Sequence, residues 1–113
     1  MIFNKLSYET IFGIIEYCYF EKEENYPNGL FIFMGSYIFK EHRGTGHFKE
    51  MLKYLLTQFP DNTIIQVPVE NKFLLPMFKR LGFEEVDRIE YWGKLSNTKM
   101  MQASLNKSKL DLI

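Results

Sequence analysis

Apolar positions recur along the chain at spacings that predict three helices. In residues 7–19 they fall three and four apart, and Ser7 is suited to cap the first turn, so this segment is predicted to be the first helix. The same spacing returns in residues 48–59 and predicts an amphipathic second helix. A third, shorter helix is predicted within residues 71–83, where Gly82 is suited to end it.

Four further segments have the composition of β-strands: residues 30–39, 63–69, 84–95 and 99–106. The first is apolar along nearly its whole length, as in a strand covered on both faces, and Gly35 within it predicts a bulge or a close backbone contact. Pro68 interrupts the second, because proline has no N–H for the ladder. Since a helix separates these two strands, they are predicted to be parallel, while the last two strands form an antiparallel pair. The predicted class is a mixed α/β fold.

Composition and charge limit what the chain does. With 113 residues it is predicted to be one domain, residues 1–113. Fourteen basic residues balance fourteen acidic ones, which argues against a nucleic-acid partner because duplex binding needs a basic excess. No apolar run is long enough to cross a bilayer and no signal-peptide pattern is present, so we expect a cytoplasmic protein without membrane contact. Cys18, the single cysteine, is interpreted as a core residue, and the aromatic content of 17% leaves a homodimer open.

The stretch HRGTGHF, residues 42–48, places an arginine and two glycines ahead of the second predicted helix. The first turn of a helix carries N–H groups without intrahelical partners, and Gly44 and Gly46 let an anion approach them closely. Arg43 adds a positive charge beside them. Two interpretations are open at this point: a site for a pyrophosphate, or a turn that only joins a strand to a helix.

Two segments carry motifs in a defined order. Residues 36–52 are SYIFKEHRGTGHFKEML, and residues 67–86 are VPVENKFLLPMFKRLGFEEV. Together they resemble the GNAT (Gcn5-related) N-acetyltransferase family, whose acetyl-CoA motif is Q/R-x-x-G-x-G/A and whose later segment has the pattern N-x6-Y-x4-F. The resemblance implies a GNAT-like α/β fold, in which a mixed, mostly antiparallel sheet with a splayed parallel strand pair is flanked by helices.

The resemblance also implies acetyl-CoA as co-substrate and an amine as acceptor. Backbone groups of Ser36, Tyr37 and Ile38 would pair with the pantetheine arm, and the amides of residues 44–49 would hold the pyrophosphate. The Asn71 side chain would bond near the pantetheine or thioester, although a helix N-cap suits it equally. The residues assigned to the cofactor are Ser36, Tyr37, Ile38, Arg43, Gly44, Thr45, Gly46, His47, Phe48, Lys49, Asn71 and Phe78, and no metal site is implied.

Three positions depart from the family pattern, and the N-terminal part is shorter than usual. Phe48 stands where glycine or alanine is usual, and Phe78 occupies the place of a tyrosine that often protonates the leaving thiolate. Gln66 lies on the strand where some members have a glutamate base. Neither phenylalanine nor glutamine exchanges protons at neutral pH, so both usual proton-handling positions are filled by residues that cannot titrate.

Two functions are therefore open. The first is an N-acetyltransferase with Glu70 and Asn71 as catalytic candidates and with Glu16 and Glu41 as other candidate bases. Tyr37 and Tyr91 are the alternative candidates to face the acceptor. The second is a GNAT-fold protein that has lost catalysis and serves as an acetyl-CoA sensor or as a structural or protein-interaction module. The sequence does not specify the acceptor, which is a small molecule or a protein.

Overall fold

A computed structural model describes residues 4–70 and 74–112. Within them the helices are α1 (His47–Thr57) and α2 (Leu75–Arg80), with short 3-10 helices at Lys40–His42 and Lys107–Leu112. The strands are β1 (Leu6–Thr10), β2 (Gly13–Phe20), β3 (Leu30–Ile38), β4 (Ile64–Pro68), β5 (Glu84–Val86), β6 (Glu90–Tyr91), β7 (Lys94–Leu95) and β8 (Met100–Ser104). None of the helices formed by these residues is both long and apolar enough to cross a bilayer.

Six strands form one sheet in the order β1-β2-β3-β4-β8-β5, and β6 and β7 form a separate hairpin. The pairing of β3 with β4 is parallel, and every other pairing in the six-stranded sheet is antiparallel. The parallel pair has α1 between its strands in the sequence, as a crossover connection requires. The predicted mixed, mostly antiparallel sheet with one parallel pair is confirmed.

The first predicted helix is wrong, because residues 7–19 form most of the β1–β2 hairpin. Side chains of β2 alternate between the two faces of the sheet: Ile15 and Tyr17 pack on one side, and Cys18 and Phe20 on the other. Because β2 is apolar on both faces, its sequence fits the periodicity of a helix as well as that of a strand. The segment is a strand because it pairs with β1 on one side and with β3 on the other. Burial raises the pKa of the Cys18 thiol, which fits the predicted core role.

The last two predicted strands are only partly correct. Residues 84–95 do not form one strand, because β5 ends at Val86 and a tight β6–β7 hairpin follows, with Trp92 and Gly93 at positive φ in its turn. The Arg88 Nε donates to the Ser96 carbonyl at 2.7 Å and closes the base of the hairpin. The strand β8 lies between β4 and β5 and pairs antiparallel with both, so the predicted antiparallel partner of β5 is confirmed.

The core has two layers, one on each face of the sheet. Both helices pack on the first face, where residues such as Leu52 of α1 and Phe78 of α2 meet Phe31 of β3. On the second face, Tyr91 of the β6–β7 hairpin packs with Ile32 and its neighbours. The hairpin covers the start of β3 but leaves residues towards its end exposed. This half-covered face positions the candidate site.

Candidate functional site

A β-bulge interrupts β3 where Gly35 predicted one. Glu16 of β2 is opposite Gly35 and the next residue, Tyr17, is opposite Phe33, so Met34 is the extra residue. A bulge bends its strand and changes the direction of the side chains that follow. Beyond Met34, β3 pairs with β2 and with no other strand of the described residues.

The parallel strands β3 and β4 separate just before this bulge. Their pairing covers Leu30–Ile32 and Ile64–Gln66 and no later residues of the described strands. From there β4 stays paired with β8 as far as Pro68, while β3 stays paired with β2 as far as Ile38. The predicted splay is thus present, and it leaves one edge of Ser36, Tyr37 and Ile38 without a strand partner among the residues described. Such an edge is open to a ligand that pairs with backbone groups.

The glycine turn precedes α1 and leaves a row of donors unused. Gly44 and Gly46 have φ of 78° and 82°, and a Cβ added to either would meet no atom within 4 Å. Within the described chain, none of the six backbone N–H groups of residues 44–49 donates a hydrogen bond to a protein acceptor, and the first that does belongs to Glu50, bonded to the Gly46 carbonyl at 3.2 Å. The turn therefore presents six donors beside open space at the positive end of a helix dipole.

Arg43 joins this turn to the end of β3. Its Nε donates to the Ile38 carbonyl at 2.8 Å, and its guanidinium carbon lies 5.1 Å from the centroid of the Tyr37 ring. Thr45 supports the turn from inside, since its hydroxyl donates to the His42 carbonyl at 2.8 Å. The predicted cation is thus present beside the N–H groups, and it fixes the open edge of β3 relative to them.

A cavity of about 610 Å³ lies next to the bulge on the second face of the sheet. Its walls come from Met34 at the bulge, from Pro68 at the end of β4 and Glu70 after it, and from the β6–β7 hairpin, including Trp92 and Leu95. Of the two tyrosines that the sequence offers to face an acceptor, Tyr91 lines this cavity and Tyr37 does not. Sequence reasoning missed Trp92 and Leu95, because residues 84–95 have the composition of one continuous strand. The local signal that indicates the hairpin is Gly93, which has φ of 90° in its turn.

The candidate bases lie at different places. Glu70 is exposed and lines this cavity near the bulge, whereas Glu16 forms an ion pair with Lys5 at 3.1 Å and Glu41 lies in the exposed 3-10 helix before the glycine turn. Asn71 lies outside the described residues. Of the carboxylates considered from the sequence, Glu70 is thus the one that the structure brings to the cavity beside the separated strands.

No family model matches the sequence, and no curated protein matches it. Among solved structures, an acyl-CoA N-acyltransferase described as putative, from Klebsiella pneumoniae, matches with a TM-score of 0.57 and 13% identity over 84% of this chain and 64% of that one. Arabidopsis thaliana NAA60 in complex with acetyl-CoA matches with a TM-score of 0.55 and 12% identity over 83% and 65%. The chain has the GNAT fold.

A third match is to a chimera of the Vibrio cholerae spermidine N-acetyltransferase SpeG and hSSAT, with a TM-score of 0.51 and 18% identity over 94% of this chain and 68% of that one. The chain spans about two thirds of the length of the structures it matches. At these identities the likeness establishes the fold, and the activity has to be argued from the site.

Two aromatic residues depart from the GNAT motifs, and both pack into the helical side of the core. Phe48 is half-buried, and its ring lies edge-on to Phe33 with centroids 6.2 Å apart. Phe78 is 1% exposed and packs against Phe83 with ring centroids 4.8 Å apart. Phe78 is therefore part of the hydrophobic core on the helical face of the sheet.

The two histidines of the turn pack around Phe12 of the β1–β2 hairpin. The His47 ring stacks on Phe12 with centroids 3.7 Å apart, and His42 meets Phe12 edge-on at 5.1 Å. The His47 side chain is therefore occupied by packing, and its backbone N–H is the group that it offers at the turn. In residues 4–70 and 74–112, no three His, Cys, Asp or Glu side chains are placed to hold a metal ion.

Gln66 is a structural residue at the centre of a buried hydrogen-bond network. Its amide donates to Gln102 at 2.8 Å and to the Tyr26 hydroxyl at 3.2 Å, while its carbonyl oxygen accepts a short bond from the Tyr91 hydroxyl. Burial raises the pKa of Tyr91, and the nearby Tyr26 adds to this, so Tyr91 keeps its proton and remains a donor. The network fixes the β6–β7 hairpin, which forms one wall of the cavity, onto β4.

Proposed function

We propose that this chain binds acetyl-CoA and transfers its acetyl group to a primary amine. The observation that carries the proposal is a row of six backbone N–H groups, those of residues 44–49, that donate to no acceptor in the described part of the chain. They precede and begin α1 and lie beside the open edge of β3 in a GNAT fold. Further support comes from the similar fold of NAA60, which was solved with acetyl-CoA. In this proposal, residues 1–113 act as one acyl-CoA-binding domain.

The proposed coenzyme binding uses backbone groups along two neighbouring elements. The N–H groups of residues 44–49 bind the pyrophosphate, and the open edge of Ser36, Tyr37 and Ile38 pairs with the pantetheine arm. Hydrogen bonds to charged groups contribute about 1.5–3 kcal/mol each, so a few of these donors suffice to hold the diphosphate. The bond from Arg43 to Ile38 holds the two parts of the site at a fixed spacing.

The proposed transfer takes place where the cavity meets the bulge. The amine nitrogen attacks the thioester carbon, a C–N bond forms, the C–S bond breaks, and coenzyme A leaves as a thiolate. The proton released from nitrogen passes to Glu70, directly or through water, and the thiolate takes a proton from water because Phe78 cannot supply one. The loss of one general acid lowers the rate on the order of a hundredfold. Asn71 is proposed to orient the thioester.

A second candidate is an acetyl-CoA-binding protein without transferase activity. It is favoured by the two motif positions that usually handle protons: Gln66 is tied into a buried network and Phe78 is 1% exposed within the core. In such a protein the glycine turn still binds the coenzyme, and the cavity is a surface for sensing or for a protein partner.

Release of free thiol distinguishes these functions. We expect the protein to release coenzyme A from acetyl-CoA in the presence of one or more amines from a broad panel of small amines and peptides. If acetyl-CoA stabilises the protein against heat but no amine raises thiol release above the buffer rate, the second candidate is correct. If acetyl-CoA neither stabilises the protein nor is consumed, both candidates are wrong. A ligand at a hundred times its Kd stabilises a protein by about 2.7 kcal/mol, which a thermal melt detects readily.

A further inference from the structure

We propose that the acceptor is a primary amine attached to an apolar group, either alkyl or aryl, which the cavity receives between the bulge and the β6–β7 hairpin. The inference rests on the proposed function, because it names the class of amine that this site takes. It follows from three features of the cavity: its exposed apolar residues, its charge balance and the placement of its one carboxylate.

The first feature is a concentration of exposed apolar side chains in one concave place. Met34 is 44% exposed, Trp92 41% and Leu95 45%, and all three line the same cavity although they come from two distant parts of the chain. Exposed apolar residues are ordinary when scattered, but several that line one cavity mark a site for an apolar ligand. Each methylene group that such a cavity buries strengthens binding about fourfold.

The second feature is the balance of charge in the cavity wall. Among the residues that the structure describes, those that line the cavity with charged side chains are one acid, Glu70, and one base, Lys94, so a polycation gains no net attraction from them. A separate cavity of about 310 Å³ lies beyond Tyr91 and Trp92, and its wall carries Glu23, Glu24 and Glu90. That acidic cavity includes neither the bulge nor Glu70, so it is separate from the place of transfer.

The third feature is the direction that these groups impose on an acceptor. Met34 contributes the bulge, beside which β3 and β4 separate, to the cavity wall, and Glu70 contributes the carboxylate that receives the proton in the proposed transfer. Trp92 and Leu95 contribute the hairpin to the same wall. The indole of Trp92 packs between two other rings, since its centroid lies 4.9 Å from that of Phe20 and 6.4 Å from that of Tyr91. The hairpin therefore determines specificity through the apolar end of the acceptor.

Trp92 is the single tryptophan of the chain, so its fluorescence reports occupancy of the cavity without a label. We would titrate the protein, with and without saturating coenzyme A, with 2-phenylethylamine, hexylamine, a short peptide with an N-terminal leucine, methylamine and spermidine. We expect 2-phenylethylamine and hexylamine to change the fluorescence with a Kd at least tenfold lower than that of methylamine or spermidine. The peptide arm shows whether the apolar amine comes from a protein N-terminus or from a small molecule.

Two variants at leucines of nearly equal exposure test whether the β6–β7 hairpin binds the apolar end of the acceptor. Leu95→Asp should weaken binding of 2-phenylethylamine at least tenfold, whereas Leu6→Asp, on β1 and equally exposed at 44%, should leave it unchanged. If both variants weaken binding of 2-phenylethylamine equally, the hairpin does not bind the apolar end of the acceptor.

The same titrations separate the inference from the proposed function. If spermidine or methylamine binds as tightly as 2-phenylethylamine, or if thiol release occurs only with these polar amines, the transferase stands and the inference is wrong. If 2-phenylethylamine binds tightly beside Trp92 but no amine releases thiol, the apolar amine site stands and the transfer is wrong. If no amine changes the fluorescence, the inference fails whatever the activity.

Discussion

Gly46→Leu will abolish binding of acetyl-CoA and leave the fold intact. At a φ of 82° a leucine costs about 1–2 kcal/mol, which a folded domain tolerates. No atom lies within 4 Å of the added Cβ, so the side chain occupies the open space in which the pyrophosphate is proposed to lie. We expect the thermal stabilisation of about 2.7 kcal/mol, seen at a hundred times the wild-type Kd, to fall close to zero.

Gly82→Leu is the matched control for this experiment. Gly82 follows α2, has φ of 89° and likewise has no atom within 4 Å of an added Cβ. The two variants therefore carry the same kind of backbone strain, but only one of them changes the glycine turn. Gly82→Leu should keep the full stabilisation by acetyl-CoA. If Gly46→Leu also keeps it, the pyrophosphate does not bind at this turn.

Gly13→Ala will destabilise the protein by about 3 kcal/mol and weaken acetyl-CoA binding at the same time. A Cβ at Gly13 would lie 2.3 Å from the Tyr37 carbonyl oxygen and 2.9 Å from the Ile38 Cα, and both are backbone atoms. The strands β2 and β3 have to move apart there, at the cost typical of a severe steric overlap. The displaced segment is the open edge of β3, so the coenzyme loses part of its site. Denaturant unfolding and a coenzyme titration measure the two effects.

Gly35→Ala provides the comparison for stability. Gly35 is in the neighbouring strand and also pairs with β2, but an added Cβ there meets nothing within 4 Å. Its effect on the free energy of unfolding should stay below about 1 kcal/mol. Similar losses of stability in the two variants would show that steric overlap of the added Cβ with β3 is not the cause of the loss at Gly13.

The glycine turn and α1 could be predicted from the sequence because their signals are local. The apolar spacing of residues 48–59 and the glycines before it act within a few residues, and the observed helix, His47–Thr57, follows them closely. The bulge was likewise indicated by Gly35. The backbone part of the proposed coenzyme site comes from these local signals, which is why the sequence locates it.

The β1–β2 hairpin could not be predicted in this way, because what decides it is distant in the chain. Residues of β2 are apolar on both faces, so the spacing alone fits a helix as well as a strand. The deciding interaction is the pairing of β2 with β3, where Gly13 lies opposite Ile38, a residue far along the chain. Local pattern contains no information about such a partner.

The wall of the cavity was missed for the same reason. The hairpin that carries Trp92 is held over β4 by the bond from Tyr91 to Gln66, between residues far apart in sequence. From the sequence, Gln66 was considered only as an unsuitable replacement for a base, whereas in the structure it is the residue that fixes the hairpin. A buried polar residue of this kind is understood only once its partners are known.

The most direct test of the account is a titration of isotope-labelled protein with acetyl-CoA, followed by two-dimensional amide NMR. If the diphosphate is held by the start of α1, the amide resonances of residues 44–49 will move most, and their shifts will saturate with a single Kd. The amides of Ser36, Tyr37 and Ile38 will move with the same Kd. Saturating acetyl-CoA that leaves the resonances of residues 44–49 in place would contradict the central claim.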